Sequence, residues 1–122
     1  MAKPTPKRLT TRVYESAARA FYVDFLEFEV LFVHRLDHDA PLYLALRQGQ
    51  CELHLSEHFG DGTPGTVVRI EVPDVSAMCD VLSAKNYTYA KPEWTSQPWG
   101  WDEMTITDPA GNRLLFVSPN GL

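Results

Sequence analysis

The chain has 122 residues, of which 44% are hydrophobic, and a formal net charge of −5. This length suits one domain with a modest core, and no apolar run is long enough to cross a bilayer. Basic residues gather only near the start (Lys3, Lys7, Arg8, Arg12), which argues against nucleic acid or a membrane as partner. The basic start is not followed by the apolar stretch of a secretory signal, so we expect a cytoplasmic protein.

The two cysteines, Cys51 and Cys79, lie on apolar faces of predicted elements. A disulfide is not expected in a cytoplasmic chain, and no C-x-x-C spacing offers thiolates to zinc. The pattern therefore favours two buried free thiols.

The first half of the chain predicts one strand, one helix and then three strands. Apolar residues recur at three- and four-residue steps over Ser16–Leu26, which is typical of an amphipathic helix. Strand-forming runs surround it: Arg8–Val13 before the helix, and Phe28–Leu36, Tyr43–Gln48 and Cys51–Ser56 after it.

The second half repeats this order. A helix is predicted from the N-cap Asp74 to Lys85, with Asn86 as its stop. The strands are predicted at Thr66–Val72, Tyr87–Lys91, Glu103–Thr107 and Arg113–Ser118.

This internal repeat predicts a single α+β domain, residues 1–122, built of two βαβββ modules. Module one is placed at about residues 7–59 and module two at residues 66–118, and the Gly- and Pro-rich residues 60–65 form a linker.

Side-chain alternation gives each half an apolar and a polar sheet face. In Cys51–Ser56 the odd-numbered residues are apolar, and in Thr66–Val72 the apolar face is Val68, Ile70 and Val72. The apolar faces are expected to bury against the helices. The opposite faces, which carry His54 and Arg69, either meet water or line a ligand cavity formed as the two sheets curl toward each other.

Two tryptophans, Trp99 and Trp101, and two acidic residues, Asp102 and Glu103, follow one another where the strand Glu103–Thr107 is predicted to begin. Aromatic rings held at a turn beside carboxylates suit the capture of a flat, cationic small molecule. A type I turn is predicted further on, at Asp108–Gly111.

These residues resemble the vicinal oxygen chelate superfamily, which includes glyoxalases, bleomycin resistance proteins and extradiol dioxygenases. Residues 20–28 are similar to its first-helix signature, which ends in Leu-Gly-Phe, although Glu27 replaces the glycine. Asp108–Asn112 matches the turn before its final strand. Gln97–Gly100 and Leu53–Gly65 are similar to the bleomycin resistance protein branch, and the resemblance runs from about residue 9.

The resemblance implies a curved mixed sheet around a groove, and a homodimer in which each groove is completed by the second subunit. It also implies that Trp99 stacks on the flat rings of a bleomycin-type antibiotic, with Phe32 as a second aromatic wall. We add Trp101, His54, Arg69 and Glu103 as candidate ligand residues. The expected function is sequestration of the drug without catalysis.

Enzymes of the superfamily hold a divalent metal with His, Glu or Gln at four strand positions. The positions fall on Leu115, on Val67, on Leu9 or Thr10, and on His54. Because only His54 is a competent donor, no metal, cofactor or catalytic residue is expected. Two alternatives stay open: a metal-dependent lyase or dioxygenase of this fold, and a binder of another aromatic metabolite or toxin.

Overall fold

The computed structural model describes residues 7–10, 15–35, 40–57 and 66–121, with the backbone alone for residues 7–10 and 15. The predicted linker at residues 60–65 lies outside these ranges, as does the end of the predicted first strand. The chain divides into two compact units, one running to Thr66 and including Pro109–Asn112, the other containing Val67–Asp108 and the residues from Arg113 onwards.

The first unit contains a four-stranded sheet and one helical segment. Strand β1 (Lys7–Thr10) precedes helix α1 (Glu15–Arg19), which continues as a π-helix over Ala20–Phe25. Strands β2 (Glu29–His34), β3 (Tyr43–Gln48) and β4 (Cys51–Ser56) follow. The strand order is β1-β4-β3-β2, in which β1 is parallel to β4 and the other pairs are antiparallel.

The second unit repeats this arrangement. Strand β5 (Val67–Glu71) and helix α2 (Val75–Ala84) precede β6 (Thr95–Ser96), β7 (Trp101–Thr107) and β8 (Arg113–Pro119). The order β5-β8-β7-β6, with β5 parallel to β8, matches that of the first sheet. The expected α+β fold, in which a βαβββ module occurs twice, is therefore confirmed.

Each sheet buries the face that the sequence predicted to be apolar. In the second unit Val68 and Ile70 of β5 are buried, together with Leu114 and Phe116 of β8. Helix α2 contacts β7 and β8 and adds Val75, Cys79 and Leu82 to this core. In the first unit the buried residues include Phe21, Tyr22, Phe25, Leu26, Phe28, Leu44, Leu46, Leu53 and Leu55.

The start of α2 follows its sequence signals. Asp74 is the N-cap, and its carboxylate accepts a hydrogen bond from the Ala77 backbone N–H at 3.1 Å. The Val75 N–H donates to the buried Ser118 Oγ at 3.0 Å, so β8 satisfies a second free donor of the first turn. At the other end Asn86 has φ 50°, a left-handed conformation that stops the helix.

The first helix differs from the expected α-helix because it widens into π-helical turns. The Leu26 N–H donates to the Phe21 carbonyl, five residues earlier, at 3.0 Å. Glu27 then adopts φ 64°, so the position where the superfamily signature has glycine is left-handed here as well.

The prediction of a strand at Tyr87–Lys91 is wrong. This segment contains a turn and irregular backbone, and Tyr89 is 84% exposed. A strand needs a hydrogen-bonding partner, and the free edge of β7 is taken by Thr95–Ser96 instead. In the described part of the chain, no helix has the length and apolarity to cross a membrane.

Candidate functional site

The face of the first sheet opposite the buried Leu44, Leu46, Leu53 and Leu55 carries an aromatic cluster from three strands. A register shift in β2 between Val30 and Phe32 makes Phe32 the partner of Ala45, and Ala45 is the partner of His54. This β-bulge turns Phe32 away from the core, where a regular strand would have placed it, and leaves it 49% exposed.

His54 is held on this face by hydrogen bonds at both ring nitrogens. Nε2 lies 2.8 Å from Glu52 Oε2, and Nδ1 lies 2.5 Å from the Tyr43 hydroxyl. Because an ionised carboxylate only accepts, Nε2 donates to Glu52, while Nδ1 and the Tyr43 hydroxyl are joined by one hydrogen bond. The Glu52–His54–Tyr43 chain therefore fixes the ring in one orientation.

Ring contacts complete this cluster. Phe32 is nearly parallel to Tyr43, with centroids 6.3 Å apart, and both rings meet His54 nearly edge-on, at 5.7 and 5.2 Å respectively. The cluster gives the first unit an aromatic surface with a hydrogen-bonded imidazole within it.

The second sheet carries a different combination of groups on its solvent-facing side. Arg69 of β5 is exposed, and its guanidinium carbon lies 4.7 Å from the centroid of the Trp101 ring on β7. This distance is that of a cation–π contact. Trp101 therefore already has a cation over one face of its ring.

Trp99 lies in the turn that leads into β7 and is 64% exposed. The turn is closed by hydrogen bonds from the Gly100 N–H to the Gln97 carbonyl (3.2 Å) and from the Gln97 N–H to the Trp101 carbonyl (2.8 Å). Gly100 has φ 101°, which favours glycine at this point. The Trp99 indole N–H donates to Glu103 Oε2 at 3.4 Å, so a carboxylate borders the exposed ring.

The six candidate ligand residues thus fall into two groups. Phe32 and His54 lie together on the first sheet, and Trp99, Trp101, Arg69 and Glu103 lie together on the second. Asp102, between Trp101 and Glu103 in sequence, alternates onto the opposite side of β7, where its Oδ1 is buried and makes no hydrogen bond within the described chain.

Tyr43 and the role of Glu52 as the partner of His54 were not predicted. The signal that would have found Tyr43 is the tight turn at Gly49–Gln50, which joins β3 to β4 and pairs Gln48 with Cys51. From that register Tyr43 lies opposite Ser56, two residues from the partner of His54 and on the same face.

At the four positions where superfamily enzymes hold a metal, this chain has Leu115, Val67, Leu9 or Thr10, and His54, and of these side chains only His54 is a competent metal donor. The register partner of His54 on β1 is Arg8, and that of Leu115 on β5 is Arg69 rather than Val67. Among residues 7–10, 15–35, 40–57 and 66–121, no three His, Cys, Asp or Glu side chains gather as a metal-holding group.

The doubled βαβββ fold is that of the glyoxalase-like proteins. Residues 8–121 match the profile of the family described as "Glyoxalase superfamily protein", and the chain belongs to this family. The resemblance to the superfamily is therefore confirmed. No curated protein matches the sequence.

Solved structures share the fold at low sequence identity. The bleomycin-binding protein complexed with bleomycin is 19% identical, with a TM-score of 0.72 over 98% of this chain and 100% of that one. A bleomycin resistance determinant encoded on the transposon Tn5 is 20% identical, with a TM-score of 0.70 and coverage of 99% and 100%. TnmS3, an antibiotic binding protein from Streptomyces sp. CB03234, is 24% identical, with a TM-score of 0.67 and coverage of 98% and 99%.

Proposed function

We propose that the protein is a non-catalytic binding protein that sequesters a bleomycin-type glycopeptide antibiotic and thereby confers resistance. The observation that carries this proposal is Trp99, a largely exposed indole bordered by the Glu103 carboxylate. A large aromatic ring left in water at the tip of a closed turn offers a stacking surface at little cost in ordering.

The mechanism is stoichiometric capture. A flat heteroaromatic ring stacks on Trp99, and each such ring pair contributes about 0.5–1.5 kcal/mol beyond the burial of its area. The net charge of −5 and the carboxylate of Glu103 favour the approach of a cationic drug. Because one protein molecule protects only against the drug that it holds, the affinity has to be high.

The proposal extends to the other candidate residues and to the setting of the protein. Phe32 and His54 on the first unit, with Trp101 and Arg69 on the second, are proposed as further ligand contacts. The protein is proposed to act as a cytoplasmic homodimer without a bound cofactor. Fold neighbours that bind bleomycin or another antibiotic support the kind of function.

Titration calorimetry with bleomycin, both metal-free and copper-loaded, tests the proposal. Trp99→Ala is expected to weaken binding about tenfold or more, since stacking and apolar burial are lost together. Trp94→Ala is the matched control, because Trp94 is 38% exposed and lies outside the turn that contains Trp99. An absence of heat at micromolar protein, or an equal loss in both variants, would contradict the proposal.

Two further measurements separate the alternatives. Stoichiometric metal in protein purified without chelators, lost in His54→Ala, would favour an enzyme of this fold. A thermal-shift screen that finds an aromatic metabolite and not bleomycin would favour a different ligand, because a ligand that prefers the folded state raises Tm.

A further inference from the structure

The Arg69–Trp101 pair has a chemistry opposite to that of the Trp99–Glu103 pair. Arg69 is exposed at mid-strand, and its guanidinium lies over the Trp101 ring. Within the described residues it makes no hydrogen bond and no ion pair. No acceptor among the described residues takes the N–H donors of the guanidinium, while the ring below limits where the group can move.

The register shows what surrounds this pair. Arg69 lies opposite Leu115, and the next pair on the same face joins Glu71 to the buried Val117. Because Leu115 and Val117 are apolar, their side chains offer the guanidinium no hydrogen-bond acceptor.

The acidic neighbours of Arg69 do not neutralise it directly. Glu71 and Glu103 both lie opposite Val117, but neither forms an ion pair with Arg69 within the described chain. Glu103 is bonded to the Trp99 indole instead. On this face the carboxylate of Glu103 therefore contacts the Trp99 ring, and the guanidinium of Arg69 contacts the Trp101 ring.

We infer that Arg69 and Trp101 form a subsite for an aromatic group that carries a carboxylate, and that this subsite disfavours aromatic cations. A ligand cation would have to share the π face of Trp101 with a resident positive charge. A ligand carboxylate instead accepts two parallel N–H bonds from the guanidinium fork. The inference goes beyond the proposed function, since nothing in it requires bleomycin to bind.

Three matched probes test the subsite: 2-naphthoate, 2-naphthylmethylammonium and neutral 2-naphthylmethanol. Binding is followed in ¹H–¹⁵N spectra through the indole N–H signal of Trp101, assigned with Trp101→Phe. The wild type is expected to bind 2-naphthoate about fivefold or more tightly than 2-naphthylmethylammonium, as a charge interaction of about 1 kcal/mol implies. Arg69→Gln is expected to remove or reverse this preference.

Arg113→Gln is the matched control, because Arg113 is exposed and alternates onto the same side of β8 as Leu115. It changes the net charge equally and is expected to leave the preference as in the wild type. The inference is overturned if the ammonium probe binds more tightly than 2-naphthoate, if the two arginine variants behave alike, or if no probe shifts the Trp101 signal. A separate titration with bleomycin reports on the proposed function, so either idea can fail alone.

Discussion

Tyr43 and His54 are diagonal neighbours on β3 and β4, and the Tyr43 hydroxyl lies 2.5 Å from His54 Nδ1. The other ring nitrogen of His54 is bonded to Glu52, so all three side chains form one hydrogen-bonded chain on the open face of the first sheet. Half-buried polar groups of this kind are stable only while each has its partner.

Tyr43→Phe should therefore lower the free energy of unfolding by about 1 kcal/mol, because it leaves His54 Nδ1 without its hydrogen-bond partner. The measurement is a urea titration followed by circular dichroism. Tyr89→Phe is the control, since Tyr89 is 84% exposed and its hydroxyl remains hydrated. If the urea midpoint of Tyr43→Phe equals that of the control, the hydrogen bond between Tyr43 and His54 contributes nothing to stability.

Glu27 offers a test of backbone strain. Its φ of 64° is costly for a residue with a Cβ atom, and the side chain itself is exposed. Glu27→Gly should be more stable than Glu27→Ala by about 1 kcal/mol, because both variants lose the carboxylate and only glycine removes the Cβ. Thermal unfolding of the two variants decides the point, and an alanine variant as stable as the glycine variant would contradict it.

Ser118 links β8 to the start of α2. Its buried Oγ accepts from the Val75 N–H, so Ser118→Ala leaves a buried donor unpaired. We expect the free energy of unfolding to fall by about 1–3 kcal/mol. In Ser76→Ala, a change in the same helical turn, the effect should stay within about 0.5 kcal/mol. Denaturant titrations of both variants measure the difference, and similar values would argue against the link.

Alkaline pH should destabilise the fold. Burial raises the pKa of the Cys51 thiol, and burial followed by repulsion from Tyr89 raises the pKa of Tyr87. Both groups hold their protons more tightly when folded, so their contribution is complete below the unfolded pKa values, about 8.5 for Cys and about 10 for Tyr, and is lost as pH rises.

The free energy of unfolding measured from pH 7 to pH 10.5 tests this. The decline above about pH 8.5 should be shallower in Cys51→Ala than in the wild type, because one of the two groups no longer titrates. If the free energy of unfolding falls with pH equally in the two proteins, Cys51 does not contribute to the alkaline destabilisation.

Much of the fold was predictable from local patterns. The alternation in Cys51–Ser56 and Thr66–Val72 predicted which sheet faces are buried, and Asp74 and Asn86 predicted both ends of α2. These signals are local, because a strand alternates every two residues and a cap bonds to its own helix.

Other features depended on partners that local patterns do not reveal. Tyr87–Lys91 has the composition of a strand, yet the edge of β7 is paired with Thr95–Ser96. The bulge that turns Phe32 toward His54 arises from the pairing of β2 with β3. Neither result follows from propensity, since strand pairing joins residues distant in sequence.

The sequence by itself determined the doubled βαβββ order, the buried faces and the group of aromatic and acidic residues around Trp99. The tertiary structure alone decided that Tyr43 completes the hydrogen-bonded chain of His54, and that Arg69 lies over Trp101. The physical reason is that alternation assigns a residue to a face of its own strand, whereas contact between two side chains depends on the register and twist of every strand that separates them.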